Sequence, residues 1–279
     1  MDSTVKNKPR SYEIEIDIKA DIQDVWNAFA KAEELVRWFP MQATVKPGPG
    51  GSVTMGWTGA FQGVMRIDRW EPPRLLRLID ENARPYDADG SRVGESQAAP
   101  AQVVVEVLLE TREGATRLRL VHSGFGQGAA WDDEIEGIST GWPFELRGLR
   151  LYLTRFRGRN RQAAYASASS PMSISDGWKR LVGKDGVTVT ADKLEEGRPY
   201  SVSLPSGERF TGDIMLHIPG RELAGTAREL GGGLFRICSY PAGGRSGYVL
   251  WATTYDEGRQ LKELEKQCQA LLDRLFPKA

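Results

Sequence analysis

Two stretches of this 279-residue sequence, about 150 residues apart, carry the same pattern of residues. The segment Asp21–Phe29 places a helix-capping residue, an isoleucine, an aspartate and a tryptophan in the same order and spacing as Ser173–Leu181. Further along, strand-like positions match without a gap, namely Phe61, Gly63, Met65 and Ile67 against Phe210, Gly212, Ile214 and Leu216. An amphipathic helical pattern closes each half. Internal self-similarity of this kind predicts two tandem copies of one fold.

The first half opens with a predicted strand and ends with a predicted long helix. The segment Tyr12–Lys19 alternates apolar and charged residues, which is the period-two pattern of a half-buried strand. Asp21 suits the N-cap of a first helix, and several short strand-like segments follow. A helix is expected at about residues 130–156, where apolar residues recur at spacings of three and four and where Pro143 predicts a kink or the true helix start. Antiparallel strands segregated from a terminal helix indicate an α+β fold.

The composition changes after the first long helix. Residues Ala163–Pro171 are mostly small and polar, which predicts a flexible linker. The chain therefore divides into a complete domain at 1–160, a linker at 161–172 and a second domain at 173–279. The second domain is predicted to be abridged, because a linker at this position leaves no counterpart for the strand Tyr12–Lys19.

The charge of the chain is balanced, with 37 basic and 37 acidic side chains. This balance argues against nucleic acid as a partner, because phosphate binding requires a basic surplus or stripe. The two cysteines, Cys238 and Cys268, are too few for a disulfide framework or a metal cage and are expected to be reduced core thiols. The polar start and the absence of a long apolar run predict a cytoplasmic protein without a membrane span.

A set of short motifs, each weak alone, occurs in order over residues 11–156. They are Ile18-Lys19-Ala20 leading to Val25-Trp26, then Trp38-Phe39, Pro49-Gly50-Gly51, Trp70-Glu71-Pro72-Pro73, His122-Ser123-Gly124-Phe125, and Gly141-Trp142 with Leu146 and Leu149. On these motifs the first half resembles the SRPBCC superfamily of START-like and birch-pollen-allergen-like proteins, and within it the family named after activators of the 90 kDa heat-shock chaperone ATPase. The resemblance implies a helix-grip fold, in which a curved antiparallel sheet wraps around the long C-terminal helix. It also implies a cavity between that sheet and the helix Trp142–Phe156.

Residues with recognisable catalytic chemistry are scarce. The chain has two histidines, of which His122 is in phase with inward-facing strand residues and His217 is not. Motifs for nucleophilic catalysis, phosphate binding, dinucleotide binding or a metal centre are not found in the sequence, so we expect no cofactor, no metal ligand and no assigned catalytic residue. An enzyme of the cyclase or hydrolase type would need His122 to meet a polar partner in the cavity. The candidate partners are Arg66, Asp68 and Glu106, but the strand pattern places the first two on the opposite face.

The sequence is rich in large side chains where the implied cavity would lie. The expected ligand-binding residues are Trp38, Phe39, Trp57, Phe61, Met65, His122, Phe125, Trp131, Trp142, Leu146 and Leu149. The same side chains would equally fill a solid core. Because large apolar pockets bind lipophilic molecules, we predict non-catalytic binding of a hydrophobic small molecule. The alternative is a protein-interaction module whose partner is a chaperone or another protein, and an enzyme ranks third.

Overall fold

The computed structural model describes residues 10–57, 62–87, 90–94 and 96–277. Within these ranges the first half contains β1 (Arg10–Ile18), α1 (Ile22–Ala30), α2 (Ala32–Leu35), β2 (Gln42–Lys46), β3 (Ser52–Gly56), β4 (Gln62–Glu71), β5 (Leu75–Ala83), β6 (Ala101–Arg112), β7 (Ala115–Phe125) and α3 (Ala129–Leu151). A π-helical turn, Tyr152–Phe156, continues α3. The second half contains β8 (Gln162–Ser170), α4 (Ile174–Leu181), β9 (Thr188–Thr190), β10 (Pro199–Ser203), β11 (Arg209–Ile218), β12 (Glu222–Ala227), β13 (Gly233–Ala242), β14 (Arg245–Thr254) and α5 (Lys262–Leu275).

The strands form two antiparallel sheets with the same strand order. The first is β1-β7-β6-β5-β4-β3-β2 and the second is β8-β14-β13-β12-β11-β10-β9. In each half the first strand pairs with the last, the short helical segment falls between the first and second strands, and a longer helix follows the last strand. The predicted α+β helix-grip fold in two copies is therefore confirmed.

The two copies also begin their first helices in the same way. At the N-cap of α1, the Asp21 side chain accepts a hydrogen bond from the backbone N–H of Gln23 at 2.8 Å. At the N-cap of α4, the Ser173 hydroxyl accepts one from the backbone N–H of Asp176 at 3.1 Å. Each cap satisfies a donor that the first helical turn leaves without a partner. The repeated sequence pattern thus marks the same structural position in both halves.

Residues 162–170 form strand β8, so the predicted linker at 161–172 is wrong and the second copy does not lack its first strand. β8 pairs with β14 along its whole length. Its alternate alanines, such as Ala164, are buried in the core that α5 covers, where larger side chains would not fit. The side chain of Gln269 on α5 accepts from the N–H of Ser167 at 3.2 Å and donates to its carbonyl at 3.0 Å, which covers the free edge of the strand.

Helix α3 runs from Ala129 to Leu151 and contains Pro143, so the proline neither begins nor ends it. Its second half packs in the core of the first sheet together with α1, and Leu146 and Leu149 there have no exposed surface. Among the helices of the described residues, none combines the length and the apolar character required to cross a membrane.

Strands β12 to β14 of the second sheet are buried on both of their faces. Along β13, Phe235 and Ile237 point into the core beneath α5, while Arg236 and Cys238 point towards the first half. In β14, every residue of the stretch 246–254 is buried. A sheet covered on both faces has strands that read as continuous buried runs instead of alternating ones.

Contacts at the end of α3 hold the second sheet against the first half. Tyr255, directly after β14, stacks on Phe156 with ring centroids 4.4 Å apart, and its hydroxyl donates to the carbonyl of Arg37 at 2.7 Å. The Arg161 guanidinium donates to the carbonyls of Trp38 and Pro40, each at 2.6 Å. These contacts place the outward face of the second sheet across the open side of the first sheet.

Candidate functional site

A cavity of about 570 Å³ lies between the inner face of the first sheet, the first half of α3 and the outward face of the second sheet. The first sheet contributes apolar side chains from β3 to β7. The second sheet contributes Tyr165, Arg236, Cys238, Tyr240, Val249 and Trp251. The cavity is therefore walled by both halves of the chain.

Most of the predicted ligand-binding residues meet in this cavity. Those that line it are Phe39, Trp57, Met65, His122, Phe125, Trp131 and Trp142. Trp38, Leu146 and Leu149 are buried in the core of the first half instead, and the Trp38 indole N–H donates to the carbonyl of Ala28 at 2.9 Å. Phe61 lies outside the described residues.

The part of α3 that faces the cavity precedes the part that the sequence predicted. Glu134, Ile138, Gly141 and Glu145 follow one another at helical spacing and all line the cavity. A β-carbon added at Gly141 would meet no atom within 4 Å, so this face of the helix is open. Beyond Glu145, side chains fill the space down to α1, and the predicted wall at Trp142–Phe156 is wrong for all but its first turn.

Aromatic rings line the side of the cavity next to β2 and β3. Phe39 contacts Trp57 edge-on and lies tilted against Trp142, with ring centroids 5.1 Å apart in both pairs. Phe125 and Trp131 form another edge-on pair at 6.2 Å. Such rings present a large, rigid apolar surface to a bound molecule.

His122 faces the cavity from β7 as a neutral ring. Its Nδ1 atom accepts a hydrogen bond from the indole N–H of Trp142 at 3.2 Å, which leaves the proton of the neutral ring on Nε2. Burial lowers the pKa of His122 from 6.5 to about 3, because the charged ring would lose its hydration. The ring also lies 4.8 Å from that of Phe125. His122 is therefore a hydrogen-bonding group at neutral pH and not a cation.

Two carboxyl groups lie at opposite ends of the cavity-facing part of α3. Burial raises the pKa of Glu134 to about 7, although one of its oxygens accepts from the N–H of Tyr86 at 3.2 Å. Burial likewise raises the pKa of Glu145 to about 7, against the opposing effect of Arg236 and Arg161. The cavity-facing side of α3 thus carries two acids whose pKa values lie near neutral pH.

The polar end of the cavity, formed where Glu145 meets the second sheet, was missed by sequence reasoning. Arg236 places one guanidinium nitrogen 3.8 Å from a Glu145 oxygen, and it stacks over the ring of Phe144 at 4.2 Å. The signal was present in two forms. Glu145 is an acid in phase with Ile138 on a helix, and β13 and β14 read as continuous buried runs, which is typical of strands with no solvent face.

The partners that an enzyme hypothesis assigned to His122 lie elsewhere. Arg66 pairs with Glu81 at 2.8 Å, and Asp68 lies 3.4 Å from Arg77 on the same outer face of the sheet. None of the three candidates, Arg66, Asp68 and Glu106, lines the cavity. Over the described residues, no group of three or more His, Cys, Asp and Glu side chains is placed to hold a metal ion.

Comparison with known families gives a match to the first half of the chain. Residues 19–154 match the family described as activator of Hsp90 ATPase homolog 1-like protein. This half of the chain belongs to that family. No curated protein matches the sequence.

Three solved structures illustrate what this chain is similar to. The Aha1 dimer of Colwellia psychrerythraea is 19% identical, with 53% of this chain and 99% of that chain covered and a TM-score of 0.43. CalU16 of Micromonospora echinospora is 23% identical, with 53% and 78% covered and a TM-score of 0.39. DynU16, a protein of the dynemicin biosynthetic locus, is 14% identical over 95% of both chains with a TM-score of 0.43.

The Aha1-like half, residues 19–154, supplies only part of the cavity. It contributes strands β3 to β7, the aromatic rings next to them and the cavity-facing part of α3. The remaining wall, from Tyr165 to Trp251, lies beyond the residues that match the family. The polar end of the cavity is therefore a feature of this two-sheet chain and not of the matched family segment alone.

Proposed function

We propose that this protein binds a small, largely apolar molecule in the cavity between its two halves, without a chemical step. The observation that carries the proposal is the cavity itself, whose volume of about 570 Å³ lies within the range of small-molecule sites. Aromatic and aliphatic side chains form most of its wall, with a few polar groups at its ends. A cavity of this composition suits a hydrophobic ligand that carries few polar atoms.

The absence of a side chain at Gly141 supports the same proposal. Glycine in a helix interior costs about 1 kcal/mol relative to alanine. Here it sits on the cavity-facing side of α3, with no atom within 4 Å of where its β-carbon would lie. The residue with the lower helix propensity therefore lies where a larger side chain would reduce the volume of the cavity.

A larger side chain at position 141 is expected to weaken binding while the fold is preserved. Gly141→Leu should weaken the binding of the neutral fluorescent dye Nile Red by about tenfold or more, because the new side chain occupies the ligand volume. The thermal midpoint should not fall, since removal of a helix glycine stabilises the helix by about 1 kcal/mol. Dye titration and circular dichroism melting measure the two effects.

Gly141→Ala is the matched control, because it makes the same backbone change and adds a single methyl group. We expect it to bind Nile Red as the unsubstituted protein does. Equal affinity of the leucine variant and the unsubstituted protein would show that the dye binds elsewhere. Native mass spectrometry of gently purified protein then identifies a natural ligand as a bound mass of a few hundred daltons.

The second candidate function is interaction with a chaperone, which the family match over residues 19–154 favours. It predicts that the protein raises the rate of ATP hydrolysis by an Hsp90-type chaperone. Gly141→Leu should stimulate to the same extent, because the substitution changes only an interior surface. An unchanged hydrolysis rate at saturating protein would count against this candidate.

A further inference from the structure

Glu145 is a buried carboxyl group whose hydrogen-bonding capacity is unused. The residue is 8% exposed and its side chain lines the polar end of the cavity. The cation nearest to it in the described structure is Arg236, at 3.8 Å, which is too far for a hydrogen bond. Among the described residues, none donates a hydrogen bond to either Glu145 oxygen.

Most donors of the two cations around Glu145 bond to other acceptors, and Nη1 of Arg236, which faces the carboxyl group, stays 3.8 Å away. Arg236 directs Nε and Nη2 to the two oxygens of Glu222, at 2.7 and 3.2 Å. Arg161, the other cation that acts on Glu145, donates to backbone carbonyls of residues 38–40. Two positive charges therefore act on the carboxylate, but neither cation donates a hydrogen bond to it. An acceptor that faces the cavity and receives no hydrogen bond from the protein is open to a donor on a ligand.

We propose that Glu145 is a specificity-determining residue, which accepts a hydrogen bond from a hydroxyl or amino group of the ligand. This inference rests on the proposed binding function and adds the chemical class of the ligand, an apolar body with a donor at one end. Gly141 lies one helical turn before Glu145 and leaves the space beside the carboxyl group open. A ligand along this face of α3 would place its apolar part near Ile138 and its donor at Glu145.

The test compares two isomeric probes that differ in their hydrogen-bond donor. 1-Octanol and heptyl methyl ether have the same atoms, but only the alcohol donates a hydrogen bond. Each probe displaces Nile Red from the full chain at pH 8, where Glu145, with its pKa of about 7, is ionised. We expect the alcohol to bind about tenfold more tightly than the ether, because a hydrogen bond to a charged group is among the stronger ones.

Glu145→Leu should remove this preference and leave the affinity for the ether unchanged. The variant is expected to fold, because Arg236 keeps both of its bonds to Glu222. Glu145→Gln retains an acceptor oxygen and should keep part of the preference for the alcohol. Glu106→Gln, the same change at a glutamate that does not line the cavity, is the control and should keep the full preference.

The outcomes separate this inference from the function on which it rests. If Nile Red binds but the two probes displace it equally, the role of Glu145 is refuted while the binding function stands. A preference that survives in Glu145→Leu also refutes the role. If the unsubstituted protein does not bind Nile Red, both the function and the inference are refuted.

Discussion

Replacing Arg236 with methionine is expected to destabilise the folded protein by about 3–5 kcal/mol, because it leaves a buried carboxylate without its partner. Glu222 has 1% of its surface exposed and receives two hydrogen bonds from Arg236. The other group near it is the thiol of Cys238, 3.8 Å from one oxygen, which is a weak donor. Urea unfolding at pH 7.5, followed by circular dichroism, measures the loss.

The double variant Arg236→Met/Glu222→Leu is the control for this prediction. Apolar residues of similar volume often replace a buried ion pair at little cost, so the double variant should recover most of the stability that Arg236→Met loses. If the double variant were as unstable as the single one, the loss would come from the packing of Arg236 on Phe144 or from Glu145, which also loses its nearest cation, and not from Glu222.

Acidification is expected to destabilise the protein through His122. The unfolded chain binds a proton at this ring with a pKa near 6.5, whereas burial lowers the pKa in the folded protein to about 3. Between these values the unfolded state binds more protons at this ring, so the His122 contribution to the free energy of unfolding falls as the pH is lowered. The raised pKa values of Glu134 and Glu145 contribute in the opposite direction. The full shift corresponds to roughly 4–5 kcal/mol between pH 7 and pH 3.

Between pH 7 and pH 4, His122→Asn should lose less stability than the unsubstituted protein, because asparagine has no titrating group and its carbonyl can still accept from Trp142. Chemical unfolding from pH 7 to pH 4 measures the slope for both proteins. Trp142→Phe keeps the histidine but removes the indole donor to Nδ1, so it should keep a slope of the same sign. The same slope in His122→Asn would assign the acid sensitivity to other groups.

The strands and helices of the fold were predictable because local patterns decide them. In β1 the buried and exposed residues alternate as the sequence indicates. The helix caps at Asp21 and Ser173 form the expected bonds. Strand β8 was missed, because its alanines and serines are typical of a linker. These small residues allow β8 to pack closely against α5, a helix that follows much later in the chain.

The candidate site was predictable only on the side that the first half supplies. Residues such as Phe39 and Trp142 follow from the position of one sheet against one helix, and both line the cavity. The wall that contains Arg236 and Trp251 depends on how two sheets pack together, and no local pattern encodes that arrangement. Leu146 and Leu149 share the helical stripe of Trp142, so periodicity alone could not separate core residues from cavity residues.

Strands β12 to β14 are buried on both faces, and this burial affects how the protein resists a pulling force. A molecule in the cavity would contact strands of both sheets at once, so it would link the two halves across their interface. Its binding free energy would add to the work needed to separate the two halves. When the protein is stretched between its two ends, its halves should therefore separate at a higher force with the ligand bound than without it. The ligand would then contribute to the mechanical stability of the protein that binds it.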